Sequence, residues 1–325
     1  MFKTRVTELL GIKYPILCGP MGYLSNAELV SAVSNAGCLG ILVSMTCPTP
    51  DDLRKEIRRT RTMTKNPFAV NVTLLPTIRP VKYEDYFAAA IEEGVKIIET
   101  SGRSPEPYVK IIKDGKAILM HRVTRTRDAR TAERVGADIV SILGTEAGGH
   151  CGEEDLSTIV RIPLAVNAVK VPVIAAGGVV DAKGFVAALA LGAEGVLMGT
   201  RFMTSKECPA HQKVKEWLIQ LQETDTILIQ RSIRNTVRAA KSEFSQKIFD
   251  MEQKGAKLEE LLPLISGARG QQAYATGDVS NASITVGQAI GLVRNILSVK
   301  EIIDGMVSEA EQIMGRLQKI GLNGG

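Results

Sequence analysis

The stretch Ala190-Leu191-Gly192-Ala193-Glu194-Gly195-Val196-Leu197-Met198-Gly199-Thr200 reads from left to right as a helix end, a glycine stop, a four-residue apolar strand and a bare turn. A glycine just past a helix adopts the left-handed conformation that closes the last turn. A short apolar run between such signals suits a strand buried on both faces. The same punctuation recurs upstream, at Asn35-Ala36-Gly37-Cys38, Glu92-Glu93-Gly94-Val95 and Arg134-Val135-Gly136-Ala137-Asp138. Outward from these points, apolar runs at 14–18, 39–43, 68–74, 95–99, 117–121, 138–142, 171–175 and 195–198 alternate with segments of helical period. Eight βα units at a spacing of roughly 25–30 residues predict an α/β fold of the (β/α)8 TIM-barrel type, with an open doubly wound sheet as the competitor. Beyond 207 the chain turns polar and helical in period. This predicts a barrel over 1–206 plus about 281–305, an inserted helical lid over about 207–280, and a C-terminal helix and tail over 306–325 that frays from 321. The last barrel helix is expected at about 284–304.

Composition narrows the class. In 325 residues, 40 Lys+Arg face 35 Asp+Glu for a net charge of +5, and the charges alternate along the helices. That is a solvated surface rather than a nucleic-acid footprint, and the basic run Arg54, Lys55, Arg58, Arg59, Arg61 carries no interleaved aromatics. No leader with an apolar core is present, and no run reaches the roughly 18 apolar residues that span a membrane. The five cysteines include no CxxC, so neither a disulfide framework nor a zinc site is expected, and a reducing cytoplasm fits.

In a barrel of this kind the reactive face is built by the loops after the strands. Glycine crowds that face: Gly19-Pro20-Met21-Gly22, Gly144-Thr145-Glu146-Ala147-Gly148-Gly149-His150-Cys151-Gly152, Ala176-Gly177-Gly178 and Gly199-Thr200. Bare N–H groups at two neighbouring turns, Gly177-Gly178 and Gly199-Thr200, can wrap a phosphate, whereas Gly-Gly alone can serve a tight turn. With only three histidines, the acid/base candidates are few. His150 has no metal partner at useful spacing and reads as an acid/base or binding group, or else as a hydrogen-bonded loop histidine. Gly148 and Gly149 beside it leave room for a flat ligand. His121 reads equally as a ligand-orienting or a satisfied rim residue, and His211 as a cap. Cys151 next to His150 is a poor nucleophile pair, because chain neighbours seldom meet in hydrogen-bonding geometry.

The glycine-histidine loop 144–152, the strand-turn 173–179 and the segment 190–202, with Thr4-Arg5-Val6-Thr7 and Arg231-Ser232-Ile233-Arg234-Asn235-Thr236, resemble the nitronate monooxygenase family over nearly the whole chain. That family was formerly called 2-nitropropane dioxygenase and is similar to the enoyl-ACP reductase II flavoenzymes. The resemblance implies an FMN enzyme with Gly177, Gly178, Gly199 and Thr200 on the phosphate. Gly22, Asn71 and Ala176 would line the ribityl chain and ring, and His150 would stand at the reactive face. Arg122 occupies a position that is commonly Lys in relatives and supplies a cation of altered geometry. The implied reaction converts alkyl nitronates and O2 to a carbonyl compound and nitrite. The run Leu74-Leu75-Pro76-Thr77-Ile78-Arg79-Pro80 looks like a branch that acts as NADH:quinone reductase. NAD(P)H-driven quinone reduction, enoyl-ACP reduction and a non-catalytic FMN-binding module therefore remain as alternatives. The partner is a small-molecule substrate, a nitronate, quinone or enoyl thioester, and a homodimer is left open.

Overall fold

The computed structural model describes residues 2–75 and 81–322. Among the described residues there are eleven strands: β1 Ile16–Cys18, β2 Gly40–Val43, β3 Phe68–Leu74, β4 Ile97–Gly102, β5 Ile118–Val123, β6 Ile139–Leu143, β7 Gly149–His150, β8 Val173–Ala176, β9 Gly195–Met198, β10 Thr226–Ile229 and β11 Val237–Ala240. Eight of them form one parallel sheet in the order β1-β9-β8-β6-β5-β4-β3-β2, and the parallel bridge Leu17↔Leu39 closes it into a (β/α)8 barrel. All eight expected strands are found, each within a few residues of its expected limits.

The helices between the strands stop where the sequence says they must. Gly37, Gly94, Gly136 and Gly192 all take positive φ, between 71° and 109°, a region that costs a side-chain-bearing residue strain. Starts are equally local: Thr49, Asn26 and Asp181 cap their helices through side-chain oxygens, and Pro50 opens the helix Pro50–Met63. The basic face of that helix is an ion-pair surface, with Arg54 on Glu92, Arg58 on Glu93 at 2.6 Å and Arg59 on Glu28.

Two apolar layers hold the barrel. Inside it, Leu17, Ile41, Ala69, Ile97, Met120, Ile139, Ile174 and Leu197 pack together, and Val6, Leu10 and Ile12 of the N-terminal segment plug the end away from the loops. Outside it, the helices bury a larger cluster that includes Phe87, Phe185 and Phe202. Each such buried chain contributes roughly 1.5–3 kcal/mol relative to exposure.

Two expectations need correction. The 207–280 segment is not purely helical: β10 and β11 form a hairpin there, and β11 pairs antiparallel with β7, giving a separate three-stranded sheet. The partner β7 lies far upstream in the sequence, so no local pattern announces that sheet. Of the helix expected at about 284–304 only 299–304 is helical; the rest is a short 3₁₀ turn, Gln288–Leu292, within irregular chain. A side chain at Gly287 would meet Glu146 O at 2.6 Å, and one at Gly291 would meet Glu223 N at 2.6 Å, so this run is held by close backbone approach. The final barrel helix is Val299–Leu322, which packs on Ala182–Ala190 and Ala27–Asn35. Helical backbone continues to Leu322, and residues 323–325 lie outside the described residues. The excursion leaves and returns at one point, where Lys206 N donates to Leu297 O at 2.8 Å and Val299 N to the Glu207 carboxylate at 2.8 Å. Among the described residues no helix is long and apolar enough to cross a membrane, and no cluster of His, Cys, Asp and Glu could hold a metal.

Candidate active site

The strand ends on one side of the barrel surround a cavity of about 1070 Å3. Every site residue singled out in the sequence borders it: Gly22, Asn71, Arg122, Gly148, Gly149, His150, Ala176, Gly177, Gly178, Gly199 and Thr200. The inserted segment closes the cavity from above with Arg234, Leu264 and Tyr274.

At the ends of β8 and β9 the wall is bare backbone. Gly177 and Gly178 have φ of +93° and +75°. Among the described residues, the N–H groups of Gly177, Gly178 and Gly199 donate to no protein acceptor outside the strand ladders. Unsatisfied donors at two adjacent turns, facing a cavity, are what an anionic group such as a phosphate needs. The turn is buttressed from below: Thr158 N donates to the Glu146 carboxylate at 2.9 Å, and the single hydroxyl hydrogen on Thr158 Oγ1 is shared between that carboxylate at 2.8 Å and Gly177 O at 3.0 Å. Glu146 is therefore committed to holding the turn. Thr200 Oγ1 accepts from Gly287 N at 3.0 Å, tying the excursion to the same place and leaving its hydroxyl hydrogen to donate elsewhere.

His150 stands opposite. It is carried on β7, where Val237 is its register partner, and its ring opens onto the cavity. The surrounding walls replace bulk water and, with Arg122 acting second, lower its pKa to about 4; Glu153 opposes. The imidazole is neutral at pH 7, so it can donate or accept a hydrogen bond but holds no reserve proton. Gly148 lies against the backbone of Val286, with 2.6 Å left for a side chain, while a Cβ on Gly149 would meet nothing within 4 Å.

The other histidines are occupied. His121 is buried and shares a 2.8 Å hydrogen bond with Thr100 Oγ1, and burial first and Arg122 second lower its pKa to about 4. His211 caps the helix Gln212–Leu218, its Nδ1 accepting from Lys213 N at 3.2 Å. Cys151 is buried and burial raises its thiol pKa, which removes it from nucleophilic chemistry.

The floor carries a group that the sequence reading missed. Asn71 is fully buried, donates to the Glu99 carboxylate, and accepts from Thr73 Oγ1 at 2.8 Å. Glu99 in turn faces Arg122 Nε at 3.4 Å, and Arg122 Nη2 donates to Ser101 Oγ at 3.1 Å. The signal was the alternation Ile97, Glu99, Ser101, which puts two polar residues on the inward face of the strand after an apolar one.

Fold and site together define a TIM-barrel enzyme, and the proteins most like it are oxidoreductases. Residues 3–309 match the nitronate monooxygenase family model, and the chain belongs to that family of flavin-dependent oxidoreductases. A probable nitronate monooxygenase of Staphylococcus saprophyticus is 31% identical, over 96% of this chain and 99% of that one. A Rhodococcus jostii 5-hydroxy-7a-methyl-1-oxo-octahydro-1H-indene-4-carboxyl-CoA dehydrogenase is 29% identical, over 95% and 96%. Among solved structures, FabK from Thermotoga maritima superposes with a TM-score of 0.91 at 36% identity, covering 98% of this chain and all of that one. A nitroalkane oxidase from Streptomyces ansochromogenes shares the fold, with a TM-score of 0.82 at 24% identity.

Proposed function

We propose that the protein is an FMN-dependent oxidoreductase of this family that oxidises alkyl nitronates. The observation that carries the FMN assignment is the pair of bare turns at the ends of β8 and β9, whose free N–H groups face a cavity large enough for a flavin mononucleotide and a small substrate together. Gly177, Gly178, Gly199 and Thr200 would hold the phosphate, and Gly22, Asn71 and Ala176 would border the rest of the cofactor. When bound, the flavin supplies the two-electron redox chemistry that no side chain of this chain provides.

The chain's own residues do the binding and the charge placement. Arg122 presents a guanidinium to the cavity, where it would offset the negative charge that the flavin gains on reduction. His150, neutral at working pH, donates a hydrogen bond to a nitro oxygen without forming an ion pair that would hold the product. It is a weak base with its lowered pKa, so pre-formed nitronates would be used well and neutral nitroalkanes poorly. The lid residues Leu264 and Tyr274 exclude water from above; Tyr274 stays protonated, since burial, with Cys208 adding, raises its pKa to about 12.

A second reading, reduction by NAD(P)H followed by electron delivery to a quinone or an enoyl thioester, is favoured by the 36% identity to FabK and by a cavity larger than a small nitronate requires. The Pro76–Pro80 run that pointed to the quinone branch lies outside the described residues. The five cysteines are all free, as suits a cytoplasmic enzyme. Anaerobic mixing of the purified yellow protein with nitronate, NADH and NADPH in turn decides: bleaching by nitronate supports the first reading, and bleaching by a nicotinamide alone rejects it for the second. In His150→Ala, FMN should be retained and turnover lost; normal turnover removes His150 from its role.

A further inference from the structure

The barrel layer directly beneath the cavity is polar on four neighbouring strands. On the inward face Thr73 of β3, Ser101 of β4, Arg122 of β5 and Ser141 of β6 form one register row, and the next row holds Asn71 of β3 and Glu99 of β4 beside Met120 of β5 and Ile139 of β6. Two residues earlier on their strands, Ala69 and Ile97 lie below Asn71 and Glu99, and with Met120 and Ile139 they supply the apolar filling normal for such a barrel. The polar layer is therefore local to the cavity floor.

At its centre is Glu99, fully buried, with a single hydrogen bond from Asn71 to one carboxylate oxygen. The other oxygen has no hydrogen bond among the described residues and lies 3.4 Å from Arg122 Nε. Arg122 spends Nη2 on Ser101 Oγ, and its Nη1 donates to no protein group among the described residues, while the side chain borders the cavity. A buried carboxylate in an apolar barrel is costly unless paired, and removing one partner of such a pair leaves the other uncompensated. Here the pairing partner is the Arg122 guanidinium.

We propose that Glu99 is a positioning residue that grips Arg122 by its Nε edge and, through its own ionisation, sets how much of the guanidinium's charge reaches the group bound in the cavity. The inference rests on the flavin reading above, in which that group gains negative charge on reduction. Arg122 is the charge that faces Glu99; Asn71, Thr73, Ser101 and Ser141 are neutral, and His150 above and His121 on the outer side of β5 are uncharged above pH 6.5. Burial pushes the Glu99 carboxyl above its ordinary value, and Arg122 and Asn71 oppose.

The test is the midpoint potential of the protein-bound flavin between pH 6 and 9, read as the ratio of affinities for reduced and oxidised cofactor. It compares wild type, Glu99→Gln, Arg122→Met and the double variant. At pH 9, Glu99→Gln keeps an acceptor for Nε but removes the carboxylate charge, and the ratio should rise on the order of tenfold in favour of the reduced form. The difference should shrink as the pH falls and wild-type Glu99 takes up a proton. In the Arg122→Met background the carboxyl has lost its counter-charge and stays protonated, so adding Glu99→Gln should change the ratio less than about twofold. Superimposed potentials for wild type and Glu99→Gln at every pH, or a full shift in the Arg122→Met background, overturn the proposal. The double variant removes both charges together and so guards against a result lost to misfolding. A wild-type protein that binds no flavin fails the functional reading instead, and the two failures are distinct.

Discussion

His121 and Arg122 are chain neighbours with opposite fates, because successive residues of a strand point to opposite faces. Arg122 turns inward to the cavity floor, while His121 is buried against Thr100 with its pKa lowered to about 4, by burial first and by Arg122 second. The folded protein thus resists protonating His121, whereas the unfolded chain does so near pH 6.5. This contribution to stability is fully present above pH 6.5 and is lost as the pH falls toward 4. The full window corresponds to on the order of 3 kcal/mol. In denaturant titrations at pH 7, 5.5 and 4.5, wild type should lose stability more steeply than His121→Gln, which has nothing to titrate at that position. Parallel loss in the two proteins would assign the acid sensitivity to other groups.

Among the elements, β7 is two residues long and places the most important side chain in the cavity. Its support comes from β11, whose Val237 and Arg238 pair with His150 and Gly149, and Arg238 Nε donates to Thr145 O at 2.8 Å. Because β11 is the central strand of its sheet, Val237→Pro removes a ladder donor and crowds both neighbours. Flavin content should survive, since the turns proposed to hold the phosphate lie on β8 and β9, while turnover falls on the order of a hundredfold through misplacement of the imidazole. Absorbance of the bound flavin and steady-state turnover measured together check this, and full turnover would show that His150 needs no support from β11. The same sheet marks where sequence stops being legible. The eight barrel strands are local events, each an apolar run, with Gly37, Gly94, Gly136 and Gly192 stopping the helices before four of them, and the glycines and His150 of the site sit beside them. The β7–β11 pair joins residues about ninety positions apart, and Glu99 is recognisable only once β3, β4 and β5 lie side by side. Gly287 and Gly291 sit in a run of helical apolar spacing, and their close approach to Glu146 and Glu223 depends on residues far away in the sequence.

At the scale of the whole molecule, the barrel is completed by a helix that arrives late. The chain leaves the barrel after β9, builds the roof of the cavity, and returns to within hydrogen-bond distance of its exit before starting Val299–Leu322. Closing a long excursion costs only a slowly growing entropy, so the roof can be large without loosening the barrel. The cost is that the cover of Ala182–Ala190 depends on packing by the returning helix. Val299, Ile302, Ile303, Met306 and Ala310 are its buried residues, whereas Leu317, farther along, is 45% exposed. Ile303→Ala should therefore destabilise the protein by about 2–4 kcal/mol, the usual loss when a buried branched chain leaves a cavity behind. Leu317→Ala should change stability by less than about 0.5 kcal/mol. Thermal melting of both variants, followed by the far-ultraviolet signal and by release of bound flavin, makes the comparison. A helix that truly completes the barrel requires both signals to shift together in Ile303→Ala, because β9, which it flanks through Ala182–Ala190, carries one of the two phosphate turns. Equal melting of the two variants, or release of flavin far below the loss of helix in Ile303→Ala, would show a peripheral helix and a cavity that holds its cofactor independently of it.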